Sequence, residues 1–213
     1  TIRNNNYGVY GDGGASPTIT FNTFQENNSP IEVHLSGIDS TIYGNSYVDN
    51  SNPYIYVIEQ SLHENKTYNW LNDGVPYRIR NTFWVYRNNT NDDERTILEI
   101  ETGTEVQLNP GKDINIGGDT GASGNLGGLK ARGVTFTAAD PNNKWNRIYF
   151  QKKALDDEAY NYIDSCVIEY GHTGIWARFS KPIINNTMIQ HHNDHGVYCQ
   201  SADPVISNST IRN

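Results

Sequence analysis

Apolar residues in this chain come in very short alternating runs, each stopped by Asn, Asp, Ser or Gly before a helix of several turns can form. Val205-Ile-Ser-Asn-Ser-Thr-Ile211 is typical, alternating at period two. The pattern predicts short strands and no long helix. Laid against itself, the C-terminal third repeats: Asp164-Ser-Cys-Val167, Asn186-Thr-Met-Ile189 and Asn208-Ser-Thr-Ile211 start 22 residues apart. Gly174-Ile-Trp176 and Gly196-Val-Tyr198 keep the same spacing, as do Pro182 and Pro204. Near the N-terminus, Asn22-Thr-Phe24 and Asn45-Ser-Tyr47 stand 23 apart, and so do Asn27 and Asn50.

A repeat of that length is one supersecondary unit whose apolar edges are buried by its neighbours. The expected fold is all-β: a single-stranded, right-handed parallel β-helix with three short strands per coil and a period of 22–23 residues. The handedness follows from the near-universal right hand of parallel crossovers. Asp164, Asn186 and Asn208 are expected to stack at one corner, because Asn and Asp tolerate the left-handed backbone of a tight turn. Residues 1–213 read as one domain, with a first run of coils over 1–60 and a second over 98–213. Residues 61–97 break the rhythm and read as an irregular junction holding two strands, Val75 to Arg80 and Thr82 to Arg87, followed by a polar run from Asn88 to Arg95. A Gly-rich loop is expected at 117–128.

Charge narrows the partners. A net charge of −8 and a pI near 5.1 oppose a passive phosphate-binding surface, so nucleic acid is not expected. No apolar stretch reaches the length of a membrane span, and there is no leader pattern; a start at Thr1 reads as a processed or excised piece. Heavy use of Asn and Tyr with little Lys suits an extracellular or cell-surface location. Cys166 and Cys199 fall at different points of the repeat, Cys166 with Met188 and Thr210 and Cys199 with Ala177, so two free thiols are expected. Sequons at Asn27, Asn65, Asn88, Asn185 and Asn208 allow glycosylation where the source has the machinery, Asn27 less favourably because Pro30 follows its Ser29.

Four segments carry a resemblance: Leu98 to Gly111, Gly128 to Thr137, Trp145 to Phe150 and Ile168 to Gly171. They resemble the pectate-lyase-like β-helix segments of large microbial surface proteins, over the stretch from about Trp70 to the end. The resemblance implies the fold and leaves activity open among lyases, hydrolases, epimerases and non-enzymatic surface proteins. The catalytic signatures of polygalacturonase-type hydrolases do not assemble: Asp92-Asp93 and Asp156-Asp157 lie in polar runs, Gly171-His-Thr-Gly174 lacks the required triplet, and Arg78-Ile-Arg80 precedes the rest. The Trp-Ile-Asp-His signature of pectate lyases is missing too.

Two constellations remain. In a 22-residue register Glu169 lies over His191, Tyr170 over His192, His172 over Asp194 and Thr173 over His195. Glu169, His172, His191, Asp194 and His195 would then converge on one edge, a set suited to calcium or another divalent metal, or to general acid–base chemistry. A solvated turn rich in His and Asp is the alternative, and no cofactor is otherwise implied. Trp176 and Tyr198 align, and Tyr10 follows the same Gly-Val-Tyr pattern; with Ile175 and Val197 pointing inward these rings lie outside, where they can stack on sugars or merely stiffen the sheet. Asp113 to Asp119 has too few spaced carboxylates for a calcium loop and reads as a turn.

The expected role is therefore a non-enzymatic structural or adhesive segment of a repetitive surface or filament-forming protein, in possible contact with polysaccharide. The alternative is a polysaccharide lyase or glycoside hydrolase. Thr1-Ile-Arg-Asn4 restates Thr210-Ile-Arg-Asn213, which suggests tandem copies or head-to-tail association.

Overall fold

Short alternating strands cannot bury their apolar side alone, and the chain resolves this by laying each one parallel to its counterpart in the next coil. A computed structural model describes residues 1–58, 61–88, 93–119 and 125–213. Among the described residues every ladder is parallel, and the sheets run across the coils, as in a parallel β-helix.

From residue 61 onward each coil contributes one strand to each of three sheets in fixed order. The second sheet holds Ser61–Leu62, Phe83–Val85, Asp113–Ile116, Arg147–Phe150, Thr173–Arg178 and His195–Gln200. The third holds Thr67–Trp70, Arg95–Ile100, Leu126–Arg132, Tyr162–Asp164, Ile183–Asn185 and Val205–Ser207. The long sheet has nine strands, Tyr7–Tyr10, Ser29–Val33 and Ile55–Val57 and then Tyr77–Ile79 through Thr210–Arg212, so it runs through both the N-terminal and C-terminal coils. Two short sheets, of three and two strands, complete the faces of the N-terminal coils.

Among the described residues, 61–97 are thus not an irregular junction. They supply regular strands to all three sheets, although the two strands are shorter than the sequence suggests, Tyr77–Ile79 and Phe83–Val85. What changes near residue 60 is the flanking faces: the short sheets stop and the six-stranded sheets begin. Side chains bridge the change, with Asn45 Nδ2 donating to Asp73 Oδ2 at 2.8 Å and the Tyr47 hydroxyl donating to the same oxygen at 2.5 Å.

The period also differs from a uniform 22–23. Along the long sheet the buried column steps from Tyr77 to Val106, Phe136 and Ile168, steps of 29, 30 and 32 residues, before returning to 21 and 22 at Ile189 and Ile211. The added residues fall between strands, mostly between a strand of the second sheet and the next strand of the third. The column itself is unbroken: Ile31, Ile55, Tyr77, Val106, Phe136, Ile168 and Ile189 are each fully buried. Each such side chain contributes roughly 1.5–3 kcal/mol by leaving water, so stacking neighbours rather than any single coil holds the fold.

The corner between the third sheet and the long sheet is left-handed in every one of these coils. It is occupied by Gly74, Gly103 and Gly133, then Ser165, Asn186 and Asn208, with φ from 48° to 85°. Ser165 occupies the corner in place of Asp164; Asp164 pairs with Asn185 and its Oδ1 accepts from Asn186 Nδ2 at 2.9 Å. The N-terminal coils add an amide ladder, in which Asn27 Nδ2 donates to Asn50 Oδ1 (3.1 Å) and Asn5 Nδ2 donates to Asn27 Oδ1 (3.2 Å).

Candidate functional site

The sequence-derived His and acid edge lies where the chain turns from the long sheet into the second sheet, and its register is one residue off. Ile168 pairs with Ile189 and Glu169 with Gln190, a step of 21. Tyr170 therefore stacks on His191 (5.1 Å between ring centres, 16° between planes), Gly171 meets His192, and His172 meets Asn193 through a 3.4 Å Nδ2 to Nδ1 contact. Thr173 pairs with His195, which restores the step of 22. The later coil has one more residue in this corner.

That shift scatters the five candidates. Glu169 faces outward on the long sheet, where Oε1 accepts from Thr137 Oγ1 at 3.2 Å and Oε2 from Gln190 Nε2 at 2.9 Å. His191 is spent on Tyr170, and its carbonyl accepts from Lys144 Nζ at 2.5 Å. His172 lines an open, amide-rich hollow with Asn142, Asn143, Lys144 and Asn193. Only Asp194 and His195 share a cleft. Among the described residues no three His, Cys, Asp or Glu side chains are grouped to hold a metal ion. Asp113 and Asp119 are ion-paired with Arg147 and Arg178; Gly121 lies outside the described residues, as do Asp92 and the Thr90 of the Asn88 sequon.

The cleft that keeps Asp194 and His195 has a volume of about 250 Å³ and is completed by Asn146, Arg147, Thr173, Trp176 and Tyr198. Its aromatic wall comes from strict alternation: Ile175 and Ala177 are fully buried, Val197 packs against the core, and Trp176 and Tyr198 between them point outward. The two rings meet edge to face at 4.9 Å, and His195 lies 5.0 Å from Tyr198. Tyr149 continues the wall one coil earlier, 5.4 Å from Trp176, and the Arg147 guanidinium lies 4.1 Å from the Trp176 ring centre. The Trp176 Nε1 is buried with no partner among the described residues.

Tyr10 does not join this wall. Gly8-Val-Tyr10 is a strand of the long sheet, a different face, and Tyr10 neighbours Tyr7 at 5.4 Å. Tyr149 and Arg147 escape a 22-residue search because their coil is longer, yet Ile148-Tyr149-Phe150 has the same in-out-in pattern as Ile175-Trp176-Ala177 and pairs with it residue for residue.

Both cysteines are free. Cys166 is buried and donates to the Asp164 carbonyl at 3.3 Å, and burial pushes its thiol up to about 11, so it is an inert packing group. It sits one position off the expected register, with Val167 rather than Cys166 opposite Met188. Cys199 pairs with Ala177 as expected and is exposed.

No helix is long and apolar enough to cross a membrane among the described residues. Compared with protein families, with curated proteins and with solved structures, the chain finds no match.

Proposed function

We propose that the chain is an extracellular, non-catalytic β-helix segment that provides reach and a repetitive surface, and that it holds carbohydrate at the Tyr149–Trp176–Tyr198 wall. One observation carries the reading: three rings stand in register on adjacent strands, and two of them, Trp176 and Tyr198, border an open cleft that also offers Asn146, Asp194 and His195 as hydrogen-bonding groups. Flat apolar rings beside a few polar groups match the faces and rim of a sugar. The structural role is supported by the dispersal of Glu169, His172 and His191, which leaves Asp194 and His195 as the two of the five candidates in the cleft. It also accords with the resemblance to pectate-lyase-like surface-protein segments. The strands Val205–Ser207 and Thr210–Arg212 have a ladder neighbour on one side only, and Val205, Ile206 and Ile211 are exposed. A further coil, from the same polypeptide or from a second copy, would cover them.

Affinity electrophoresis through gels containing soluble neutral and acidic polysaccharides tests the reading. Retardation by at least one glycan, lost in Tyr198→Ala and without release of reducing ends, is the expected result. Release of reducing ends or unsaturated products, abolished by Asp194→Asn, would instead establish a polysaccharide-processing enzyme.

A further inference from the structure

The aromatic wall does not end at Tyr149. On the outer side of the second sheet the ladder places Trp84, Asn115, Tyr149, Trp176 and Tyr198 in one column, each paired with the next across five consecutive coils. Strands are about 4.8 Å apart, so the column spans roughly 19 Å along the solenoid axis. That strand spacing is close to the advance of one pyranose in an extended glycan, and four of the five coils offer a ring at that spacing, with Asn115 between Trp84 and Tyr149.

The column has a cleft at each end. Opposite the Trp176–Tyr198 cleft is a second one of about 400 Å³, lined by Trp84, Tyr86, Asn88, Asp119 and Gln151. The floor between them is closed by Asn115, which is 5% exposed; its Nδ2 donates to the Phe83 carbonyl at 3.4 Å and its Oδ1 accepts from Gln151 Nε2 at 3.3 Å. The charges bordering the column cancel in pairs. Arg147 Nε lies 3.0 Å from Asp113 Oδ1, and Arg178 is bound to Asp119 while also reaching the Tyr149 hydroxyl at 3.5 Å. Asp194 adds a negative charge at the Tyr198 end, in a chain that carries −8 overall.

We infer that the ligand of this face is an extended, uncharged glycan chain lying along the solenoid axis from Tyr198 to Trp84. This inference rests on the carbohydrate reading of the Trp176 cleft and extends it in length, orientation and charge. The two guanidiniums that border the column among the described residues, Arg147 and Arg178, are already paired with carboxylates, and the overall field repels a polyuronate. Neutral sugars need what the column supplies, namely ring faces, an indole edge and amides.

Isothermal titration of the whole chain with cello-, manno- and xylo-oligosaccharides from disaccharide to hexasaccharide, alongside oligogalacturonates of equal length, tests this. Affinity for at least one neutral series is expected to rise up to about the pentasaccharide, one sugar per coil. Trp84→Ala is expected to weaken the pentasaccharide about tenfold, the scale of one stacked aromatic, and to leave the disaccharide unchanged. Trp84→Phe is expected to restore most of the loss, with circular dichroism of each variant showing intact sheet. If Tyr198→Ala abolishes binding while chain length and Trp84→Ala have no effect, the extension along the axis is wrong and the carbohydrate reading of the cleft stands. Tighter binding of oligogalacturonate overturns the charge argument, and failure of every glycan to bind overturns both readings.

Discussion

His192 is fixed under Gly171 by the backbone of the preceding coil: Gly171 N donates to Nδ1 at 3.2 Å, and Nε2 lies 3.1 Å from the Ile168 carbonyl. The geometry fits a neutral ring protonated on Nε2. Burial lowers the pKa of the ring below its ordinary value, and Lys144 and His191 push the same way against the favourable carbonyls. When pH falls, the unfolded chain takes up the proton first, near its unperturbed value of about 6.5, while the folded ring resists. The stabilisation is therefore complete above that value and is lost as pH falls through it towards the folded pKa. Urea unfolding at about pH 7.5 and about pH 5.5 should show a decrease that is smaller in His192→Gln; an unchanged midpoint in the parent chain would contradict the burial argument.

Gly174 packs against the same ring. A Cβ there would lie 2.6 Å from the Gly196 carbonyl oxygen, 2.7 Å from His192 Nε2 and 2.8 Å from Ile189 Cγ2. Gly174→Ala should cost about 1–3 kcal/mol in denaturant unfolding, because two of these atoms belong to backbone or to a locked ring.

The fold was legible because buried columns recur at a fixed place in each coil, and the C-terminal coils carry little else. The register was harder to read from corner residues. Aligning Asp164 with Asn186 matches residue type, but Ser165 and Asn186 both accept a positive φ, so the corner does not distinguish steps of 21 and 22. The inner column does: Ile163 with Ile184 and Ile168 with Ile189 are both 21 apart. One extra residue between His192 and His195, relative to Gly171 and Thr173, then restores 22 for the aromatic strands. This is why Trp176 and Tyr198 were correctly paired and Glu169 and His191 were not. Tyr149 and Trp84 are hidden by the longer spacing between strands in the middle coils, which leaves the ladder unchanged.

Asn27 illustrates how a sequon can be closed by the fold. It is fully buried, its backbone N–H donates to Asn50 Oδ1 at 3.0 Å, and its Nδ2 donates to the Ile2 carbonyl at 3.0 Å. Asn65 lies exposed in a bend. Expression in a glycosylating host followed by peptide mass spectrometry should find glycan on Asn65 and none on Asn27. Asn27→Ala should cost about 1–3 kcal/mol, since Asn5 and Asn50 lose a shared partner.

Glu169 and Asp194 should separate cleanly by what their removal does. Glu169 accepts from Thr137 and Gln190, which are 8% and 9% exposed, so Glu169→Ala leaves two largely buried donors without their partner. The expected cost is about 1–3 kcal/mol, with no change in glycan affinity because the side chain faces out from the long sheet. Asp194 and His172 are exposed, and replacing either with Ala should change stability by no more than about 0.5 kcal/mol. Asp194→Ala should instead weaken glycan binding at the Tyr198 end. Calcium and zinc give a further check, because a ligand that binds only the folded chain raises its midpoint by mass action. With Glu169, His172 and His191 dispersed away from Asp194 and His195, neither ion should shift the thermal midpoint. A rise that disappears in Asp194→Ala would show that Asp194 holds a metal after all.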